Sequence, residues 1–463
     1  MTHETPLSEA ALRRLHAIAG LAVEQGPPAR AVERDFGGLV TGRADAVVRP
    51  EHVDALRAVV ELARAESLAL TARTLGYSQS GQSVPQGGLG VDMGAFGGIA
   101  IDPARAIARC GAAVSWRQLL AAASTHGMAP AVMPFNLDLS VGGTLSAGGI
   151  GSTSHQRGFA VSSVESFTAV TGAGEHVVAG PQDRREVYDA VLGGLGQFGF
   201  LCDVELRLRP LGRTTRTHCL LYDDLATMIA DERRIMAEPW CTHLEGFASA
   251  ALQGVRRGPQ GRRVPFARWF GGLHVSMEFD DAAPGVDPLQ GLHHREVLHV
   301  EDSDSVEYAA RYDLRFEFMR ATGAWQQVHP WLECTLPADA ATALLPELIP
   351  TLPVFLGDGH RVMPVADVPR PAFVMLPSAP IVGLAILPVG VPAPFQPIAL
   401  DALRRAHDAL LGIGGKRYLS GWLFEPDEAA WRTHYGPRYD DWKRAKALLD
   451  PSGILRSVLS SPR

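Results

Sequence analysis

The 463-residue sequence has only five cysteines, Cys110, Cys202, Cys219, Cys241 and Cys334, and no Cys-x-x-Cys pair. An odd, scattered set of this kind excludes a disulfide framework and a cysteine zinc site and suits reduced thiols. There is no basic run, and Lys+Arg 43 against Asp+Glu 50 leaves a net charge of −7. Phosphate neutralisation needs clustered cations, so a nucleic-acid partner is not expected. The first residues hold no apolar signal core, which predicts a cytoplasmic protein. Charge is missing altogether from residues 371–400, but prolines 371, 377, 380, 388, 392, 394 and 397 would break any spanning helix. No membrane association is expected. Internal repeats and low-complexity tracts are absent too. What is abundant is Gly 48 and Pro 33, which predict many turns and backbone-lined sites.

At about 150 residues per domain the length allows two or three domains. Apolar spacing predicts an amphipathic helix within residues 7–25 and a second one from Val53 through Leu62. Strands are expected at 68–71, 99–101, 107–110 and 164–170, helices at 116–126 and 185–192, and an alternating strand at 200–209. This mixture reads as an α+β first unit that ends near Pro210. Beyond residue 212 strands at 218–222, 273–279, 331–336, 372–376 and 381–387 alternate with helices at 223–238, 305–322 and 338–349. Loops are expected at 254–264 and 281–293. The last forty-odd residues read as polar helices that return to the first unit.

Three glycine-rich segments carry the chemistry. The first, Arg73-Thr74-Leu75-Gly76-Tyr77-Ser78-Gln79-Ser80-Gly81-Gln82, follows a strand and can turn backbone N–H groups toward an anion. The second, residues 140–152, holds Ser140, Gly142, Gly143, Thr144, Ser146, Gly149 and Ile150 among its small side chains, a surface suited to a diphosphate. The third contains a literal G-x-G-x-x-G at Gly194, Gly196 and Gly199. A dinucleotide fingerprint of that kind needs a strand before and a helix after. Here a helix precedes and a strand follows, so the pattern is not a Rossmann site. No Walker-type Gly-Lys-Ser/Thr is present.

These three segments in this order resemble the FAD-binding domain of the vanillyl-alcohol-oxidase-type flavoproteins, most nearly the cytokinin dehydrogenase subgroup. Val141-Gly142-Gly143-Thr144-Leu145-Ser146, Leu244-Glu245-Gly246, His329-Pro330-Trp331-Leu332 and Lys416-Arg417-Tyr418-Leu419 are similar to subgroup motifs. The resemblance runs from Asp35-Phe36-Gly37 to Asp450-Pro451-Ser452-Gly453-Ile454-Leu455. It implies a two-domain PCMH-type FAD-binding fold, with residues 1–212 and 420–463 forming the FAD domain. Residues 213–419 would form an α+β substrate cap, an antiparallel sheet flanked by helices. It implies that Gly76, Ser78 and Gln82 line the flavin, that Ser140, Ser146 and Ile150 touch it from the second loop, and that Leu201 and Tyr418 approach it from the adenine end and the tail.

Three departures from the subgroup stand out. Tyr77 occupies the place of the histidine that bonds covalently to flavin, so non-covalent FAD is expected. Phe135, in Met133-Pro134-Phe135-Asn136-Leu137-Asp138, stands where the subgroup has its proton-accepting aspartate. Ser457-Val458-Leu459 replaces a Pro-Gly-Gln near the C-terminus. On the substrate side the resemblance implies Glu245 at the cavity mouth, Trp331 as a lining residue and Leu419 as an apolar wall. Residues two apart on a strand share a face, so Glu333 points with Trp331. A carboxylate there would have a raised pKa and could serve as base. His293, His294 and His299 lie in an expected loop without metal-ligand spacing.

The function expected is FAD-dependent oxidation of a small cyclic or aromatic-bearing molecule, an intermediate of specialised biosynthesis, by hydride transfer to flavin N5, with oxygen or another acceptor taking the electrons. Two alternatives stay open. One is cytokinin dehydrogenase activity with a relocated base, Asp138, Glu245 or Glu333. The other is a flavoprotein that catalyses a non-redox cyclisation or isomerisation.

Overall fold

The computed structural model describes residues 7–258, 261, 263–357, 359–424 and 427–456. The chain opens on helix Glu9–His16, capped by Ser8, whose side chain accepts from the Ala11 amide. It is shorter than the 7–25 periodicity predicts. Gly20 adopts φ +70°, a left-handed turn that side-chained residues resist, and the chain leaves it as strand Leu21–Glu24. That strand begins a four-stranded sheet, in the order Leu21–Glu24, Ala46–Pro50, Leu89–Asp92 and Leu70–Arg73. Helix Val53–Glu66 buries Leu56, Val59, Val60 and Ala63 against it.

A second, antiparallel sheet is built around the long strand Gly199–Pro210, flanked by Ile107–Gly111 and Val164–Thr171, with Ile99–Asp102 and His176–Ala179 at its edges. The two sheets meet in one apolar cluster where Val170, Phe200 and Cys202 pack with Leu56 and Leu70. The tail enters this same cluster. The Leu70 amide donates to the Ile454 carbonyl at 2.8 Å, and Ile454 and Leu455 are buried. Helices Glu428–Tyr435 and Tyr439–Leu449 bury Trp431, Tyr435 and Leu449 in the neighbouring core.

Residues 214–417 supply an eight-stranded antiparallel sheet. Its order is Glu296–Asp304, Thr214–Tyr222, Arg263–Phe279, His243–Arg257, Gly359–Val365, Ile381–Ile386, Leu332–Pro337 and Lys416–Arg417. The two-residue period of these strands sorts their side chains between two environments. Leu332, Cys334, Leu336, Val362, Val382, Leu384 and Ile386 pack in the core shared with helices Leu225–Ile235, Ala338–Leu348 and Gln396–Gly412. Glu333, Arg361, Met363, Gly383 and Ala385 alternate with them and line a cavity.

Four expectations are corrected. Residues 372–376 form a turn rather than a strand. Prolines 371 and 377 bracket them, and Phe373 and Val374 are buried as loop anchors. The expected loop at 254–264 is largely a β-hairpin, its strands running out to Arg257 and back from Arg263, and His299 lies on a strand. The expected helix 305–322 is broken into Ser305–Ala309 and Asp313–Ala321. The break frees residues 310–312 from helical register, and Arg311 and Tyr312 both reach Glu245. The G-x-G-x-x-G segment sits between helix Arg185–Val191 and strand Gly199–Pro210, so the Rossmann reading fails on structure as well. Among the described residues no helix is long and apolar enough to cross a membrane.

Candidate functional site

One large cavity runs from the glycine-rich loops of the first unit to the open face of the eight-stranded sheet. Its first wall is the loop after strand Leu70–Arg73. Asp35, almost fully buried, holds this loop by accepting from the Ser78 hydroxyl (2.8 Å), the Gly81 amide (2.7 Å) and the Gly38 amide (3.0 Å). Burial raises the Asp35 pKa, and the bonds from Ser78, Gly38 and Gly81 pull it back. The Phe36 and Gly37 amides donate to the carbonyls of Gly76 and Ser78. The loop is thus gripped by its carbonyls. The amides of Leu75, Gly76, Tyr77 and Ser78 find no acceptor among the described residues. Such a row of open N–H groups is what a diphosphate requires.

The second loop is joined to the first by a 2.8 Å hydrogen bond between the hydroxyls of Thr74 and Ser140. Ser140 then caps helix Val141–Ala147. A Cβ on Gly142 would sit 2.6 Å from the Ala112 Cβ, so only glycine fits between these backbones. Thr144 accepts from the Trp116 indole at 2.8 Å, and the Ser146 hydroxyl donates to the Gly142 carbonyl. The third segment completes the wall, its Gly193 and Leu195 amides donating to the carbonyls of Leu145 and Ser146. Gly196, Phe200 and Leu201 line this end of the cavity. Small residues and unspent amides along one continuous wall fit the dinucleotide of FAD.

The other end is aromatic and charged. Phe36, Tyr77, Phe135, Tyr312, Trp331, Glu333 and Arg361 line it. The Trp331 indole is fixed by donating to the Pro388 carbonyl at 2.9 Å. Burial raises the Glu333 carboxyl to about 7, against the opposing pull of the Ser420 hydroxyl that donates to it and of the nearby Arg361 cation. Glu245 has the opposite fate. Burial alone would raise its pKa, but Arg311 and Arg361 flank it and hold it down at about 2. It accepts from Arg311, from Arg361 Nη1 at 2.8 Å and from the Tyr312 hydroxyl at 2.7 Å.

The cavity brings together Gly76, Tyr77, Ser78, Gln82, Ser140, Gly142, Gly143, Thr144, Ser146, Ile150, Leu201 and Tyr418, with Phe135, Trp331 and Glu333. Four expected residues lie elsewhere. Asp138 is off the cavity, held by Arg117 Nε at 2.8 Å. Glu245 stands behind Arg361, its oxygens taken by arginine and tyrosine donors. Gly149 donates its amide to the Tyr418 hydroxyl at 2.8 Å. Leu419 is buried in the apolar core, and its carbonyl accepts from Gln82 Nε2 at 2.9 Å. Gln82 and Ser78 accordingly spend their side chains on holding the loop. The replaced motif at 457–459 lies outside the described residues. Arg361, Tyr312 and the anchoring role of Asp35 were not legible in advance. Asp35 begins a quoted motif, but Arg361 belongs to none.

Residues 44–180 match the family described as FAD binding domain. An uncharacterized oxidoreductase of the fasciation locus of Rhodococcoides fascians is 29% identical over 91% of this chain and 94% of its own length. Cytokinin dehydrogenase 4 of Oryza sativa subsp. japonica is 27% identical, with 92% of this chain and 87% of that protein aligned. Cytokinin dehydrogenase 2 of Arabidopsis thaliana is 24% identical, with 92% and 90% aligned.

Proposed function

We propose, from the premise that this chain is an FAD-dependent oxidoreductase with a PCMH-type FAD-binding domain and kinship to the cytokinin dehydrogenases, that it oxidises a small cyclic or aromatic-bearing molecule with Glu333 as the proton acceptor. Residues 1–212 and 420–463 form the FAD domain in this reading, and 213–419 the substrate cap. Leu75, Gly76, Tyr77 and Ser78 offer their amides to the diphosphate, and Tyr418 supports the second loop from the tail. FAD held there would supply the two-electron oxidising power for a substrate C–H, with oxygen or another acceptor taking up the electrons.

The observation that carries the reading is Glu333. It is the carboxylate in the cavity wall, with its pKa raised to about 7 by burial, a value suited to taking a proton near neutral pH. Phe135 leaves no acid at the position where the related subgroup has one. Glu245 is held ionised behind Arg361 and serves as a positioning residue. The FAD is non-covalent in this reading. Burial raises the Tyr77 phenol pKa, which keeps it protonated and a poor nucleophile, and its oxygen accepts from Arg320 at 3.3 Å. Free Cys110, Cys202, Cys241 and Cys334, all buried, support a reducing, cytoplasmic setting.

Cytokinin dehydrogenase activity with Glu333 as relocated base is the second reading, favoured by the alignment over nearly the whole chain. Incubation with isopentenyl adenine and a dye acceptor separates the two. Slow or no turnover supports a different substrate, and rapid turnover overturns it. Anaerobic mixing with the true substrate tests net oxidation, because product formed without bleaching of the flavin would mean a non-redox reaction.

A further inference from the structure

The cap sheet sets three cavity residues in one row. Arg361 is in register with Ala385, and Ala385 with Glu333. Directly opposed residues of antiparallel strands share a face. With strands about 4.8 Å apart, the backbones of Arg361 and Glu333 stand about 10 Å apart across Ala385. Ala385 contributes one methyl group and Gly383, two residues before it, contributes no side chain. The stretch of sheet between the cation and the acid is therefore low, and all four residues line the cavity.

Arg361 is prepared for a ligand on one edge only. Its Nη1 donates to Glu245 at 2.8 Å and lies 3.4 Å from the Tyr312 hydroxyl. The guanidinium carbon is 3.9 Å from the centroid of Phe135, 4.4 Å from that of Tyr312 and 5.2 Å from that of Phe247. Nε and Nη2 have no hydrogen-bond partner among the described residues. The charges do not cancel either. Glu245 faces two guanidinium groups, Arg311 and Arg361, and leaves one positive charge over below about pH 7, where Glu333 is protonated. A buried arginine fork with an open edge and an unbalanced charge matches a planar carboxylate, which can accept two parallel N–H bonds.

We propose that Arg361 determines specificity by binding a carboxylate through Nε and Nη2, so that the substrate is an aromatic or cyclic carboxylic acid lying over Ala385 with its reacting end toward Glu333. The inference rests on the oxidoreductase reading for the identity of the site, but the charge preference can be measured by itself. Benzoate, phenylacetate and trans-cinnamate, with their primary amides as neutral isosteres, are titrated calorimetrically into the purified holoprotein, and flavin absorbance is followed in parallel. At least one acid is expected to bind ten or more times more tightly than its amide. Arg361→Gln is expected to remove that preference, with amide affinity and bound FAD retained. Acids that bind no better than their amides, or do not bind, overturn the proposal, as does a folded Arg361→Gln protein that keeps the preference.

Because Arg361 is tied to buried Glu245, a second variant leaves that pair in place. Ala385→Phe fills the low stretch between Arg361 and Glu333, and it should abolish acid binding while FAD stays bound. Unchanged acid binding in this variant overturns the proposal. Selective acid binding in a protein that never reduces its flavin would sink the oxidoreductase reading alone. Turnover of a neutral substrate with no acid preference would sink the carboxylate alone.

Discussion

The ring of Phe135 lies 3.9 Å from the guanidinium carbon of Arg361, and this contact sets an apolar ring against the cation that lines the same cavity. An apolar ring covers one face of the arginine without consuming its charge. A carboxylate at 135 would consume it. Phe135→Asp is therefore expected to pair with Arg361 and weaken binding of an aromatic acid about tenfold, since an opposite charge within about 4–6 Å favours the ionised carboxylate. Calorimetric titration of benzoate into wild type and variant checks this, and equal affinities would contradict it.

The base role proposed for Glu333 needs its ionised form, so turnover should rise with pH through about 7. Glu333→Gln is expected to lower kcat by about 10²–10⁴ and to erase the rising limb, with FAD still bound. Stability supplies an independent readout. The folded pKa lies above the ordinary value of 4.5, so the folded state holds an extra proton between 4.5 and about 7. Stability is lost as pH rises through that window, by roughly 3 kcal/mol at about 1.4 kcal/mol per pH unit. Denaturant melts at pH 5 and pH 8 should show this loss in wild type and its absence in Glu333→Gln.

Asp35 satisfies the Ser78 hydroxyl and the Gly81 and Gly38 amides inside the protein. Asp35→Asn turns one accepting oxygen into a donor facing these donors, and each buried group left unmatched costs about 1–3 kcal/mol. The loop proposed to offer its amides to the diphosphate then loosens. The FAD dissociation constant is expected to rise at least tenfold in a flavin-fluorescence titration of the apoprotein, and an unchanged constant would dissociate Asp35 from cofactor binding.

Glu278, on strand Arg263–Phe279 of the eight-stranded sheet, is tied to strand Gly199–Pro210 through Arg209. Arg209 donates to it through two nitrogens at 2.7 and 2.8 Å, and His243 Nε2 lies 2.8 Å away. Burial would raise its pKa, but His243 and Arg209 more than offset that and hold it well below the usual carboxylate range. A depressed carboxylate contributes stability above its unfolded value of 4.5 and loses it as pH falls below that. Glu278→Gln should cost about 3 kcal/mol at pH 7, with the buried Arg209 cation left without its counter-charge, and should flatten the loss of stability below pH 4.5. Thermal melts across pH 3–7 measure both effects.

The sequence revealed the parts of this protein that depend on local pattern. Period-two alternation set Glu333 on the face of Trp331, and both line the cavity, while the order helix, glycines, strand around Gly196 ruled out a Rossmann turn correctly. Tertiary relationships were not legible. Arg361 sits in an ordinary strand, Gly359–Val365, and becomes a site residue only because Ala385 and Glu333 are its neighbours in the sheet. Glu245 looked available because nothing local announces that Arg311, 66 residues on, would reach it from a break between two helices. The strand expected at 372–376 failed because composition favoured it while flanking prolines 371 and 377 denied it a partner strand.

In the proposed reading, backbone-lined loops hold FAD without a covalent bond. Acid precipitation of the purified protein, followed by absorbance of supernatant and pellet, tests this most directly. Yellow flavin released into the supernatant and identified as FAD is the expected result. Flavin retained in the pellet, with Tyr77 as the first site to map, would contradict the non-covalent assignment, and a colourless protein that takes up no added FAD would contradict the account as a whole.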